Sequence, residues 1–195
     1  MDLSLQSLLS MARFTVQSPR EGARMVMQAK VPMSGRWAAF ALMAVMSSVL
    51  AHLSFGLLPV DVQAPMGNAM TSPFRTVILQ AALMLVASHA IVWIGRWRGG
   101  VGTFENVLIL MVWLQFILLI LQVIQIAIQV VLPPLADIVG FASVGIFLWL
   151  LSNFIAEVHK FQSVGKSFVG VIMTLFAMGL VLALVLTPFM AQGVR

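Results

Sequence analysis

The chain has no cysteine and no tyrosine among its 195 residues, and only 9% of it is charged. Without cysteine there is no disulfide framework, thiolate metal site, iron–sulfur cluster or cysteine nucleophile. A soluble domain carries about 25% charged residues, so this chain has too few to cover a water-facing surface. A dense basic patch is also missing. The 11 Lys and Arg residues are scattered and not interleaved with aromatics, which excludes the footprint of a nucleic-acid-binding protein. What is abundant is apolar: 61% of residues are hydrophobic and the mean hydropathy is +1.05. The composition is that of an all-α integral membrane protein.

A helix needs about 20 mostly apolar residues to cross the ~30 Å hydrocarbon core. Five such runs are bounded by Lys, Arg, Gly or Pro, giving expected spans over 37–58, 74–95, 104–132, 135–157 and 167–189. Residues 1–36 form an arm before them and 190–195 a short tail after them. Ser72-Pro73 reads as an N-cap with proline in the first helical turn, and Thr103 as the cap of the third span. Pro133-Pro134 breaks the third span from the fourth, because proline donates no backbone hydrogen bond and disfavours helix in the residue before it.

Lys and Arg near span ends are retained on the cytoplasmic side. The arm carries Arg13, Arg20, Arg24, Lys30 and Arg36, the second loop Arg96 and Arg98, and the fourth Lys160 and Lys166, so nine of the 11 cations lie on one side. The expected topology is N-terminus in and C-terminus out, with no cleavable signal peptide.

Within the arm, Leu5, Leu8, Leu9, Ala12 and Val16 recur at helical spacing, predicting an amphipathic helix over residues 2–16. A second helix is expected from Pro19 to about Lys30, opened by Ser18-Pro19-Arg20-Glu21 as a capping box. Its basic flank suits anionic headgroups, each cation near the surface contributing about 1 kcal/mol. The arm therefore reads either as a topology anchor covering the bundle or as a docking arm for lipid and partners.

Polar groups inside lipid are where chemistry is first sought. Gln115, Gln122 and Gln129 stand at seven-residue steps on the third span, with Gln125 beside them. Such a stripe serves interhelical hydrogen bonding, or else a solute path. His52, His89 and His159 share no helix face, so no metal site and no cofactor is expected. His89, beside Ser88, reads as an interhelical hydrogen-bond partner and His159 as an interfacial residue. Trp37, Trp93, Trp97, Trp113 and Trp149 fall mostly near predicted interfaces. Glu105 and Asp137 sit in the first turns of their helices, where they complement the positive helix end. The one plausible cluster on the cytoplasmic face is Arg96, Arg98, Glu105, Glu157, His159 and Lys160. No nucleophile, phosphate loop or catalytic carboxylate pair is recognisable, so no enzymatic activity is expected. Ala44-x-x-x-Ser48, Ala136-x-x-x-Gly140 and Gly179-x-x-x-Ala183 are small-residue patterns that allow close helix approach.

Together Ser18-Pro19-Arg20-Glu21, Gly99-Gly100-Val101-Gly102-Thr103-Phe104-Glu105, the span ending in Pro133-Pro134, and Trp149 through His159-Lys160-Phe161 resemble a bacterial member of the Yip (Ypt-interacting protein) domain family. The resemblance extends from the arm to the fifth span. It implies five membrane helices, a cytoplasmic N-terminus and a short exoplasmic C-terminus. Eukaryotic relatives act in vesicle trafficking and contact small GTPases. Their Asp-Leu-Tyr-Gly-Pro type signature is missing here, so small-GTPase binding is not carried over. The family supplies no catalytic residues. The expected function is a non-catalytic scaffold or accessory subunit, packing against other membrane proteins, such as a large energy-converting complex, and against anionic lipid. The alternative is a small channel or transporter using the glutamine stripe.

Overall fold

Polar caps and prolines set the helix boundaries in the computed structural model, which describes residues 4–58, 60–63 and 72–192, with side chains for all of these except 61, 62, 178 and 181–192. Eight helices and no strand occur among the described residues. The arm forms α1 (Leu5–Gln17) and α2 (Pro19–Gln28). Ser4 caps α1 by accepting from the Ser7 N–H at 3.3 Å. The capping box expected at Ser18 does not form. Ser18 joins the two helices by its backbone instead, its N–H bonding the Phe14 carbonyl and its own carbonyl accepting from Gly22.

Four long helices follow: α3 (Met33–Gly56), α5 (Pro73–Trp97), α6 (Phe104–Val131) and α7 (Pro133–Val158), with a single turn, α4 (Val60–Gln63), after the first. These four are long and apolar enough to cross a membrane among the described residues. Ser72 caps α5 by accepting from Arg75, and Thr103 caps α6 by accepting from Asn106, as their positions predict. Pro133 and Pro134 occupy the first turn of α7, so the break falls at Leu132 and α7 starts earlier than Leu135. α8 runs Val164–Gln192. Its described apolar part is Val164–Ala177; the rest of the expected span over 167–189 includes side chains outside the description.

α6 is the central element. It packs against α3, α5, α7 and the arm helix α2, whereas α8 lies chiefly along α7. Between Val107 and Leu119, where its buried residues lie, α6 buries two faces. Leu108, Val112 and Leu119 meet Phe40 and Met43 of α3 and Met84 of α5. Leu110, Trp113, Leu114 and Ile117 meet Leu150, Leu151 and Phe154 of α7 together with Met11, Ala12, Ala23 and Val26 of the arm. The apolar stripe of the arm is thus turned onto the bundle. Trp113 is correspondingly not interfacial: it is buried beneath α1, its indole Nε1 donating to Thr15 Oγ1 at 3.1 Å.

The small-residue faces of α3 and α7 lie at helix contacts. Ala44 and Ser48 are buried, and the Ser48 hydroxyl reaches the Pro73 carbonyl of α5 at 3.0 Å. Ala136 is buried, and Gly140 admits Gln125 of α6, whose amide a Cβ there would crowd. Gly179 of α8 faces open space.

Candidate functional site

The basic end of the bundle is assembled from three chain segments, and the closure of α7 organises it. Phe161 N–H returns to the Ala156 carbonyl at 2.8 Å and Lys160 N–H to the Glu157 carbonyl at 3.2 Å, a helix end that requires a left-handed residue. Lys160 takes that conformation, with φ 59°. Glycine would adopt it at lower cost, but only lysine then places an ammonium on Glu157, 2.7 Å from Oε1. Arg24 of α2 grips the same carboxylate with two bonds, Nε to Oε1 at 2.8 Å and Nη2 to Oε2 at 3.2 Å. The Glu157 side chain is 4% exposed, while those of Arg24 and Lys160 are more than half exposed. The buried carboxylate is therefore neutralised from the surface by two cations, one of which ties the arm to the bundle. Arg20 adds a second tie by donating to the Phe161 carbonyl.

His159 lies next to this pair but does not share in it. It is 2% exposed. Its Nδ1 accepts the Gly102 N–H at 3.1 Å, and its Nε2 stands 3.1 Å from the Ile91 carbonyl, which can only accept. That assigns the neutral ring with its hydrogen on Nε2. Burial holds the His159 pKa below the ordinary histidine value against the opposing Ile91 bond, and the nearby Arg96 charge acts in the same direction as burial. The ring fits because Gly95, Gly100 and Gly102 surround it; a Cβ at any of the three would overlap the imidazole. Gly99 makes the turn that brings them there, with φ +83°. Phe161 stacks on the other side, centroids 5.4 Å apart.

The remaining residues of interest separate. Arg96 donates to the Gly102 carbonyl, bracing the same turn. Arg36 donates to the carbonyls of Val31 and Glu105, so Glu105 joins the arm through its backbone, and its exposed side chain forms no ion pair among the described residues. Arg13 and Lys30 are exposed on the arm. Of the glutamines, Gln115 donates to Ser47 Oγ of α3 at 2.7 Å, while Gln122, Gln125 and Gln129 are half-buried along the far half of α6. His89 bonds the Leu85 carbonyl of its own helix rather than a neighbouring helix, and rests on Phe104. His52 likewise bonds Ser48 one turn back. Among the described residues no three of His, Asp and Glu converge as metal ligands.

The Arg98 side chain, at the end of α5, joins no ion pair among the described residues. It stands at the junction of two clefts: a slot of about 140 Å³ bounded by α5, α6, α7 and α8, and an open cleft of about 830 Å³ over the start of α8. The Thr15–Trp113 bond, the glycine cage and this junction are absent from any local sequence pattern. The nearest signal is the clustering of three glycines, Gly95, Gly100 and Gly102, around one helix end.

What this end of the molecule does chemically is to close itself. Carboxylate, imidazole and four of the arginines are bound within the fold, which leaves an apolar bundle with a fastened arm. No curated protein and no solved structure matches the chain. The Yip1 domain family does match, over residues 14–186. That range takes in the end of α1, the fastened α2, every long helix and most of α8, so the chain belongs to the Yip1 domain family.

Proposed function

We propose that the protein is a non-catalytic, five-span scaffold or accessory subunit of a bacterial inner membrane, with the arm and basic loops cytoplasmic, which packs against other membrane proteins. The observation that carries this reading is the fastening of the arm. Arg24 and Lys160 on Glu157, Arg20 on Phe161 and Trp113 on Thr15 spend the reactive-looking groups on internal cohesion. The outward faces of α3, α5, α7 and α8 carry large apolar side chains, including Leu83 and Val86 of α5 and Phe141 and Val144 of α7, which suit lipid and neighbouring helices. The pairing of Gln115 with Ser47 supports packing rather than a solute path.

Purification of the full chain from native membranes in a mild detergent, followed by mass spectrometry, tests the proposal. A membrane protein recovered in fixed ratio with the chain is the expected result. A solitary chain with no protein partner overturns it.

A further inference from the structure

The cations of the basic end differ in what they hold. Arg20, Arg24, Arg36, Arg96 and Lys160 are each bonded to the fold. Arg98 and Lys166 have no ion pair among the described residues, yet both line the cleft over the start of α8. The Arg98 guanidinium crosses from α5 to α8, where a Cβ on Gly170 would stand 2.7 Å from its Nη1. Beneath it the slot continues along the bundle between helices that do not pack as a pair, with Ala90 and Ile94 on the α5 side and Val171 and Leu175 on the α8 side. Phe147 and Leu151 of α7 line it between them. The two clefts share Arg98, Phe161 and Ser167, and neither is lined by a carboxylate.

An apolar slot in the bundle, headed at its polar end by two uncompensated cations, matches one kind of molecule: an amphiphile with an anionic head and a hydrocarbon tail. The geometry points to the α5–α8 cleft as a binding site for a single anionic glycerophospholipid, with its phosphate between Arg98 and Lys166 and the upper part of one acyl chain in the slot. A zwitterionic lipid brings its own cation to a place that already holds two, and a free phosphate leaves the slot empty. The site depends on the membrane setting of the bundle and not on the scaffold reading, because a chain without a protein partner would bind lipid here equally well.

The test is native mass spectrometry of the full chain in mild detergent with phosphatidylglycerol or phosphatidylcholine. The intact chain retains one phosphatidylglycerol in preference to phosphatidylcholine, and excess inorganic phosphate does not displace it. Each cation contributes about fivefold, so R98Q/K166Q binds roughly thirtyfold more weakly. Removing the same charge from the arm in R13Q/K30Q leaves retention unchanged, and A90F, which fills the slot and keeps both cations, abolishes it. Equal retention of both lipids overturns the proposal. So does displacement by phosphate, loss in R13Q/K30Q alone, retention in a folded A90F, or a co-purified polypeptide held in the cleft in place of lipid. If A90F does not fold, the two charge variants decide the question, since all four of their residues are exposed.

Discussion

At the scale of single residues, His159 shows how an ordinary side chain is made specific by its surroundings. The sequence places it beside Glu157 and Lys160 at the end of a span, which suggests a wet, interfacial ring. The fold instead uses the Cβ-free surface of three glycines to take the ring in and spends both nitrogens on backbone groups. Protonation would have to occur at Nδ1, which already accepts the Gly102 N–H, and it would put a charge into a dry site facing Arg96. The folded chain therefore resists a proton that the unfolded chain takes up at about pH 6.5. Stability rises with pH wherever the unfolded state binds more protons, so this contribution is complete above about pH 6.5 and declines as the pH falls below it. Thermal unfolding of the purified chain between pH 8 and pH 5 should show that decline. In His159→Asn the slope should flatten while the midpoint at pH 8 also drops. An unchanged slope would mean that other groups govern acid sensitivity.

Among the secondary-structure elements, the arm is where local sequence and tertiary structure diverge. Periodicity correctly marks two amphipathic helices, because apolar residues at three- and four-residue spacing make a stripe whatever that stripe faces. The identity of the facing surface is a tertiary fact. A membrane interface and the flank of α6 and α7 are both apolar, and the pattern of Leu8, Ala12 and Val16 does not distinguish them. Thr15 is the residue that decides. It is fully buried in a helix–helix contact, bonding the Met11 carbonyl and accepting from Trp113. Thr15→Val keeps the shape and removes the acceptor, leaving a buried indole N–H unpaired at a cost of about 1–3 kcal/mol. The expected outcome is a lower unfolding temperature and faster protease cleavage in the connection between α2 and α3, with the helix content unchanged. Wild-type cleavage kinetics would show that the Thr15–Trp113 bond does not help to hold the arm. The caps were more legible, because Ser72 and Thr103 each satisfy backbone donors within their own first turn and need no partner from elsewhere.

For the whole molecule, the sparse charge that marks the chain as a membrane protein also lays out its asymmetry, and the fold collects that asymmetry at one end. The arm, the turn after α5 and the turn after α7 come together there, so the cations that topology rules count separately along the sequence become neighbours in space. The juxtaposition depends on α6 lying centrally and on α8 lying along α7 and away from α5, neither of which was legible in the sequence. The same asymmetry fixes the expected orientation, with the basic end retained in the cytoplasm. The absence of cysteine makes this directly measurable, since one introduced thiol is the only thiol in the chain. Lys30→Cys and Gln162→Cys place that thiol on exposed positions of the basic end, and Gln63→Cys places it in the turn after α3, at the opposite end. In intact cells with a permeable outer envelope, a membrane-impermeant maleimide should label only Gln63→Cys. After lysis it should label all three. Labelling of Lys30→Cys and Gln162→Cys but not Gln63→Cys in intact cells would invert the orientation. Labelling that separates Lys30→Cys from Gln162→Cys would break the common basic end on which the fastened arm and the α5–α8 cleft both depend.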